Sequence, residues 1–510
     1  MNKVAILDFG SQYTQLIARK IRELGVFSEI FPFNLSPSRI KKENPDALIL
    51  SGGPQSVYQK DAPLPSEGIF KMEIPVLGIC YGLQLMAHLL GGKVVPTEKR
   101  EYGFASLRVL DREGLLSGIK DEAQVWMSHG DRVEEVPPGF SISGETASCC
   151  AAVIEWTEQR LFGVQFHPEV MHTKQGKKIL SNFLFTLSGL KAEWSIGSFI
   201  ERKVEEIRRL VGKGKVICGL SGGVDSLVTS LIVQRAVKDN LFCIFVDNGL
   251  LRKGQYQELM EKFKDKLGLN LLGVDASGVF LENLKKVTSP ERKRKIIGEV
   301  FIRIFEREAE KIGNVSYLAQ GTIYPDVIES NPVKGPSSRI KSHHNVGGLP
   351  PRLKFKLIEP LKELFKDEVR DLAKELGVNR EFIVQHPFPG PGLAVRIVGE
   401  VTPERIKVIR DADEIILEEV KRAGLYQKLW QAFAVLLPVK SVGVMGDRRT
   451  YHGVVVVRLV ESADGMTADW FHADHRLLSR ISSRIVNEVD GVNRVAYDIT
   501  TKPPGTIEWE

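Results

Sequence analysis

The sequence predicts an α/β protein: two doubly wound parallel-sheet units followed by a smaller α+β unit. Three observations carry this. Apolar runs alternate with amphipathic helices along residues 1–190, and the same alternation restarts near Trp194. Past residue 386 it gives way to one long helix and several alternating strands. A chain of 510 residues has room for about three domains of roughly 150 residues each.

In the first unit, VAILDF (4–9), DALIL (46–50) and PVLGI (75–79) read as buried strands. Helices are expected over 12–24 and 81–90, with a closing helix over 177–190. Apolar strands that lead into helices belong to a parallel sheet covered on both faces. VWMSHGDRVEEV and LFGVQFHPE add further strands with loops. The second unit gives a helix over 199–212 and strands at 215–220, 241–247 and 317–322. Helices at 225–237 and 256–268 lie between these strands, as in a doubly wound sheet. Residues 329–352, rich in Pro, Gly, Ser and His, predict a long functional loop. His386–Gly392 (HPFPGPG) marks a boundary. Beyond it come a helix over 403–424, strands at 441–446, 451–460 and 493–499, and a helix over 473–489. That pattern is α+β with an antiparallel sheet. The expected domains are therefore 1–190, 194–386 and 387–510.

The net charge of +6 is modest for this length. It suits small anionic substrates and gives no reason to expect nucleic acid. The basic run Glu291–Lys295 lacks interleaved aromatics, so it reads as the solvated or ATP-facing side of a helix. Five cysteines, an odd number without regular spacing, read as reduced thiols in a cytoplasmic protein. No leader peptide is expected before the first strand, and no apolar run reaches about 18 residues, so no membrane span is expected.

Gly78-Ile79-Cys80-Tyr81-Gly82 lies between a strand and a helix, with the spacing of a nucleophile elbow. Cys80 falls at a helix N-terminus, where the dipole favours thiolate. The Tyr81 N–H can donate to an oxyanion, and the Gly-Gly turn at Gly53 offers a second donor. His167 and Glu169 follow a strand two residues apart, so they share a face and can act as base and orienting group. Cys80, His167 and Glu169 would then form a triad for acyl transfer. These motifs resemble the class I glutamine amidotransferases, which release ammonia from glutamine through a cysteinyl thioester. The resemblance implies that Gln84, Ser128 and Asp131 hold glutamine. Ser128 stands where many members have Asn, which shortens that contact or routes it through water.

Ser221-Gly222-Gly223-Val224-Asp225-Ser226 follows a strand and opens a helix. Its backbone N–H groups and two hydroxyls suit an anion. The Lys of a Walker A loop is missing, which argues against transfer of the γ-phosphate. Asp225 would repel phosphate unless it helps to hold Mg²⁺. The string resembles the PP-loop of ATP pyrophosphatases, which cleave ATP between the α and β phosphates. That implies ATP contacts from Ser221 through Ser226 and from Leu227, Val246 and Gly321. It also implies Mg²⁺ near Asp225 and Asp326, and no organic prosthetic group.

The two motifs leave the aminated acceptor open, and a nicotinate-type or carboxylate acceptor is compatible with both. With the segments Ile340–Asn345, Pro387–Gly392 and Lys502–Glu510, the whole chain is similar to the glutamine-hydrolysing GMP synthases. This resemblance implies XMP as acceptor, contacted by Arg252, Gln431, Lys502, Ile507 and Glu508. It implies a lid carrying Lys341, His343 and His344, and it makes the third domain a dimerisation domain of a homodimer. Glutamine, ATP and XMP are the expected small-molecule partners, with no nucleic acid and no membrane.

Overall fold

The computed structural model describes residues 2–330, 355–445, 447–462 and 467–510. They form two compact units, one ending at Phe199 and the other beginning at Ile200.

Among the described residues, the first unit carries a nine-stranded sheet. Its strands are β1 (Lys3–Asp8), β2 (Phe27–Pro32), β3 (Ala47–Leu50), β4 (Val76–Ile79), β5 (Lys93–Val109), β6 (Ala123–Glu135), β7 (Ser141–Glu145), β8 (Val153–Trp156) and β9 (Leu161–Val164). They lie in the order β2-β1-β3-β4-β9-β8-β7-β5-β6. The half from β2 to β9 is parallel, and the predicted helices α1 (Thr14–Glu23) and α2 (Tyr81–Leu89) follow β1 and β4. Every residue of β3, β4 and β9 is buried, as expected of a sheet covered on both faces. Register pairs Leu50 with Gly78 and Ile79 with Val164, which sets Ser51, Cys80 and Gln165 side by side just past the strand ends.

The remaining strands pair antiparallel, and β5 was not foreseen. Its charged stretch EKRE carries no apolar alternation, and β6 pairs with the residues on either side of it, with a register shift between Pro96 and Glu101. The closing helix is also not one helix. Gly176–Ser181 is α-helical and Asn182–Leu187 widens to a π turn. There the buried Asn182 donates to the carbonyls of Leu115 and Ser117.

The second unit holds a parallel sheet in the order β12-β11-β10-β13-β14. These are β10 (Lys215–Leu220), β11 (Leu241–Asp247), β12 (Leu271–Asp275), β13 (Val315–Ala319) and β14 (Lys356–Ile358). Helices α3 (Val224–Val237), α4 (Gln255–Leu267) and α5 (Pro290–Ile312) separate the first strands, and α6 (Lys366–Glu375) follows β14. A second sheet follows α7 (Pro403–Arg422). In it β16 (Arg448–Glu461) pairs antiparallel with β15 (Gln431–Met445) and β17 (Asp469–Trp470). The last strand, β18 (Val492–Tyr497), instead joins β16 in parallel, because α8 (His475–Glu488) intervenes and returns the chain in the same direction. One apolar core runs from Ile217 through Ile297 and Ile409 to Val492, on both sides of His386. No helix among the described residues is long and apolar enough to cross a membrane.

Candidate active sites

Cys80 caps α2 with φ 52° and ψ −105°. Positive φ strains a residue that carries a side chain, and close packing on either side holds it there. A Cβ added at Gly78 would lie 2.6 Å from Gly82 backbone, and one added at Gly82 would lie 2.3 Å from the Leu50 oxygen. Glycine at both positions lets strand and helix meet this closely. The Cys80 N–H donates to the Val164 carbonyl at 2.7 Å, which ties the elbow to β9.

The same strand end delivers His167 and Glu169. His167 Nδ1 lies 2.7 Å from Glu169 Oε1, and both side chains are buried. Burial opposes charge on His167, but the Glu169 carboxylate and hydrogen bonding to Cys80 outweigh it and hold the ring well above the ordinary histidine range. Tyr13 sets its ring edge against His167 at 4.9 Å between centroids. The other buried thiols lack such company. Burial pushes Cys149 and Cys243 up to about 12 and Cys218 well above its usual value, while Cys150 is exposed.

The residues expected around glutamine gather here. The Cys80 sulfur lies 3.7 Å from the Ser128 carbonyl. Gln84 Nε2 donates to the Asp131 carbonyl at 2.9 Å and to Gln165 Oε1 at 3.3 Å. The Tyr58 hydroxyl donates to the Asp131 carboxylate at 2.8 Å. Gly53 packs against Tyr81: an added Cβ would lie 3.1 Å from its ring and 3.0 Å from the Phe9 oxygen. Tyr58 and Gln165 were missed in the sequence, since neither lies in a motif.

In the second unit, Ser221–Ser226 turns from β10 into α3. Gly222 has φ +84° and Ser226 Oγ accepts from the Ser221 N–H at 3.1 Å. The Gly223 N–H reaches Ser221 Oγ at 3.3 Å, and the Leu227 N–H reaches the Gly223 carbonyl at 3.3 Å. Val224 and Leu227 are buried beneath the turn, and Val246 is buried near the end of β11. Gly321 lets the chain after β13 approach the loop, since a Cβ there would lie 3.0 Å from Asp225 backbone. The Asp225 carboxylate binds Lys366 Nζ at 2.7 and 2.5 Å, a cation that the sequence analysis did not single out. Asp326 accepts from the Ile323 N–H at 3.1 Å. Asp225 and Asp326 carry the hard oxygen donors that Mg²⁺ takes, but Lys366 holds Asp225, and no group of three or more such ligands gathers among the described residues.

Arg252, Gln431 and Glu508, far apart in sequence, meet in one buried network. Arg396 grips Glu508 through two bonds of 3.1 and 3.0 Å, and Gln431 Nε2 donates to Glu508 at 3.1 Å and to the Pro387 carbonyl at 2.7 Å. Arg252 Nε lies 3.0 Å from Asp413, which also faces Arg396 at 3.4 Å. Ile507 packs on Phe433, Val435 and Val456. Lys502 is placed separately, by a two-way backbone bridge to Ala468. The expected lid residues Lys341, His343 and His344 lie outside the described residues. The basic run is not a solvated face throughout: Lys293 is fully buried, ion-paired with Glu510, and donates to the Ile397 carbonyl at 2.7 Å. The overlooked signal for Arg396 was a cation inside the apolar run LAVRIV.

Fold and sites together define a class: a cysteine amidotransferase unit joined in one chain to an ATP-using PP-loop unit. Three families match in sequence. Residues 5–187 match glutamine amidotransferase class-I, 195–297 match NAD synthase, and 418–509 match the GMP synthase C terminal domain. The chain is 57% identical over 517 residues to the GMP synthase (glutamine-hydrolyzing) of Pelodictyon phaeoclathratiforme, covering all of both chains. It is 57% identical to that of Chlorobium limicola, again over all of both chains. Identity is 54% to that of Brachyspira hyodysenteriae, over all of this chain and 99% of the other. The chain belongs to the GMP synthase (glutamine-hydrolyzing) family.

Proposed function

We propose that this enzyme aminates C2 of XMP to give GMP, with glutamine as nitrogen donor and ATP as activator. The observation that carries it is the pairing, in one chain of this family, of the Cys80–His167–Glu169 constellation with the Ser221–Ser226 turn. Cys80 Sγ attacks the side-chain amide of glutamine, and His167 delivers the proton with which ammonia leaves. Glu169 holds the imidazole ring. The N–H groups of Tyr81 and Gly53 receive the oxyanion, and water then frees glutamate from the thioester. Gln84, Ser128 and Asp131 border the glutamine.

In the second unit the XMP O2 oxygen attacks the α-phosphorus of ATP, and pyrophosphate leaves through the Ser221–Ser226 turn. Ammonia then displaces AMP at C2. Mg²⁺ held by Asp225 and Asp326 would neutralise phosphate charge. Arg252 and Lys502 suit the XMP phosphate, and Gln431, Ile507 and Glu508 suit the purine. Lys341, with His343 and His344, serves the departing pyrophosphate.

The work divides among segments 1–190, 194–386 and 387–510. The enzyme acts in the cytoplasm as a homodimer. The β15–β16 hairpin supports the dimer, because it leaves Val439, Val442, Val444 and Tyr451 exposed.

Incubation with XMP, ATP, Mg²⁺ and glutamine should yield GMP, AMP, pyrophosphate and glutamate in equal amounts. ADP in place of AMP would sink the PP-loop chemistry, and absence of GMP would sink the acceptor. Cys80→Ala should abolish synthesis from glutamine and spare synthesis from ammonium.

A further inference from the structure

The unforeseen strand β5 sets Glu101 opposite His129 of β6. The His129 side chain is only 2% exposed. Its Nδ1 lies 2.9 Å from the Asp131 carbonyl. A carbonyl only accepts, so Nδ1 carries a proton. On the other side, Nε2 lies 3.1 Å from Glu101 Oε2. Hydrogen bonding to His129 is also the main cause that holds the Glu101 carboxyl below its usual range. Ser148 occupies the other Glu101 oxygen.

From Asp131 the contacts continue inward. Its carbonyl also accepts from Gln84 at 2.9 Å, Gln84 reaches Gln165 at 3.3 Å, and Gln165 Nε2 lies 3.7 Å from the Cys80 sulfur. A series of close contacts therefore runs from Glu101 to the nucleophile. A buried polar pair seldom stabilises a fold better than apolar packing would. This one meets a backbone carbonyl that also holds Gln84, where orientation matters more than stability.

We propose that Glu101 and His129 are a positioning pair for the glutaminase, fixing the Asp131 carbonyl and through it Gln84, Gln165 and Cys80. The proposal rests on the glutaminase role of Cys80 stated above. The test uses the full-length enzyme with Glu101→Ala, Glu101→Gln, His129→Asn and Cys80→Ala. Glu101→Ala and His129→Asn should raise the glutamine KM about tenfold, the weight of one charge-assisted hydrogen bond. They should change kcat far less and leave ammonium-dependent synthesis untouched. Glu101→Gln, which keeps an acceptor without charge, should recover part of that loss. The ¹⁵N resonances missing from the His129→Asn spectrum should show a protonated Nδ1 in the wild type, and a bare Nδ1 overturns the proposal.

An unchanged glutamine KM in both variants overturns the pair if Cys80→Ala has lost glutamine-dependent synthesis. If Cys80→Ala keeps that activity, the glutaminase reading itself falls. Should Glu101→Ala fail to fold, Glu101→Gln and His129→Asn decide, and a glutamine KM unchanged in both overturns the proposal.

Discussion

Glu169 is fully buried, so its carboxylate acts on His167 with little screening. Glu169→Gln removes that charge while keeping the shape. Glutamine-dependent kcat should fall by about 10²-fold, the usual weight of acid–base catalysis, with ammonium-dependent synthesis unchanged. Stability gives a second measurement. A histidine whose pKa is raised on folding adds stability that is fully present below its unfolded value of about 6.5 and is lost as pH rises through the folded value. The wild-type advantage over Glu169→Gln in urea unfolding should therefore be greatest below about pH 6.5 and shrink on going alkaline. At this scale the triad was legible because each member sits in a short motif at a strand end. Tyr58, Gln165 and the Glu101–His129 contact were not, because tertiary pairing alone gives those residues their neighbours.

At the scale of elements, the turns that carry chemistry are set by close backbone approach. Gly82→Ala puts a methyl group against the Leu50 carbonyl, so it should cost about 1–3 kcal/mol in denaturant unfolding and misplace Cys80 enough to silence the glutaminase. The Ser221–Ser226 turn depends on a different neighbour. Lys366, the first residue of α6, neutralises Asp225 in the turn proposed to take phosphate. Lys366→Ala should lower kcat/KM for ATP at least about tenfold while glutaminase activity persists, as steady-state assays of each half-reaction would read. The parallel strands were easy to read because burial on both faces makes them continuously apolar. β5 was hidden because the charged run in its middle interrupts the apolar pattern on either side. β15 begins at Gln431, ten residues before the predicted 441, because its first half is apolar on both faces and shows no alternation.

Across the molecule, the second unit closes on its last residues. Lys293 has no exposed surface and its ammonium group meets Glu510 and two carbonyls. Lys293→Met would strand the Glu510 carboxylate, so it should lower stability by about 3–5 kcal/mol in a denaturant melt. Because Glu508 stands two residues away, XMP affinity should weaken with it. Val442→Lys combined with Val444→Lys should shift sedimentation from dimer to monomer, since charge would replace the exposed apolar tip of the hairpin. Sequence pattern predicted a boundary near His386, whereas one apolar core runs on both sides of it. It could not announce that Lys293, Arg396 and Glu510 share one interior, since burial of paired charges leaves no periodicity to read. The strained backbone at Cys80 has a practical consequence as well. That geometry survives only while β3, β4 and α2 stay locked together, so loosening any of them relaxes the turn before the whole unit melts. The rate at which a glutamine-like electrophile alkylates Cys80 should then serve as a local thermometer of the amidotransferase unit, falling at temperatures where circular dichroism still looks native.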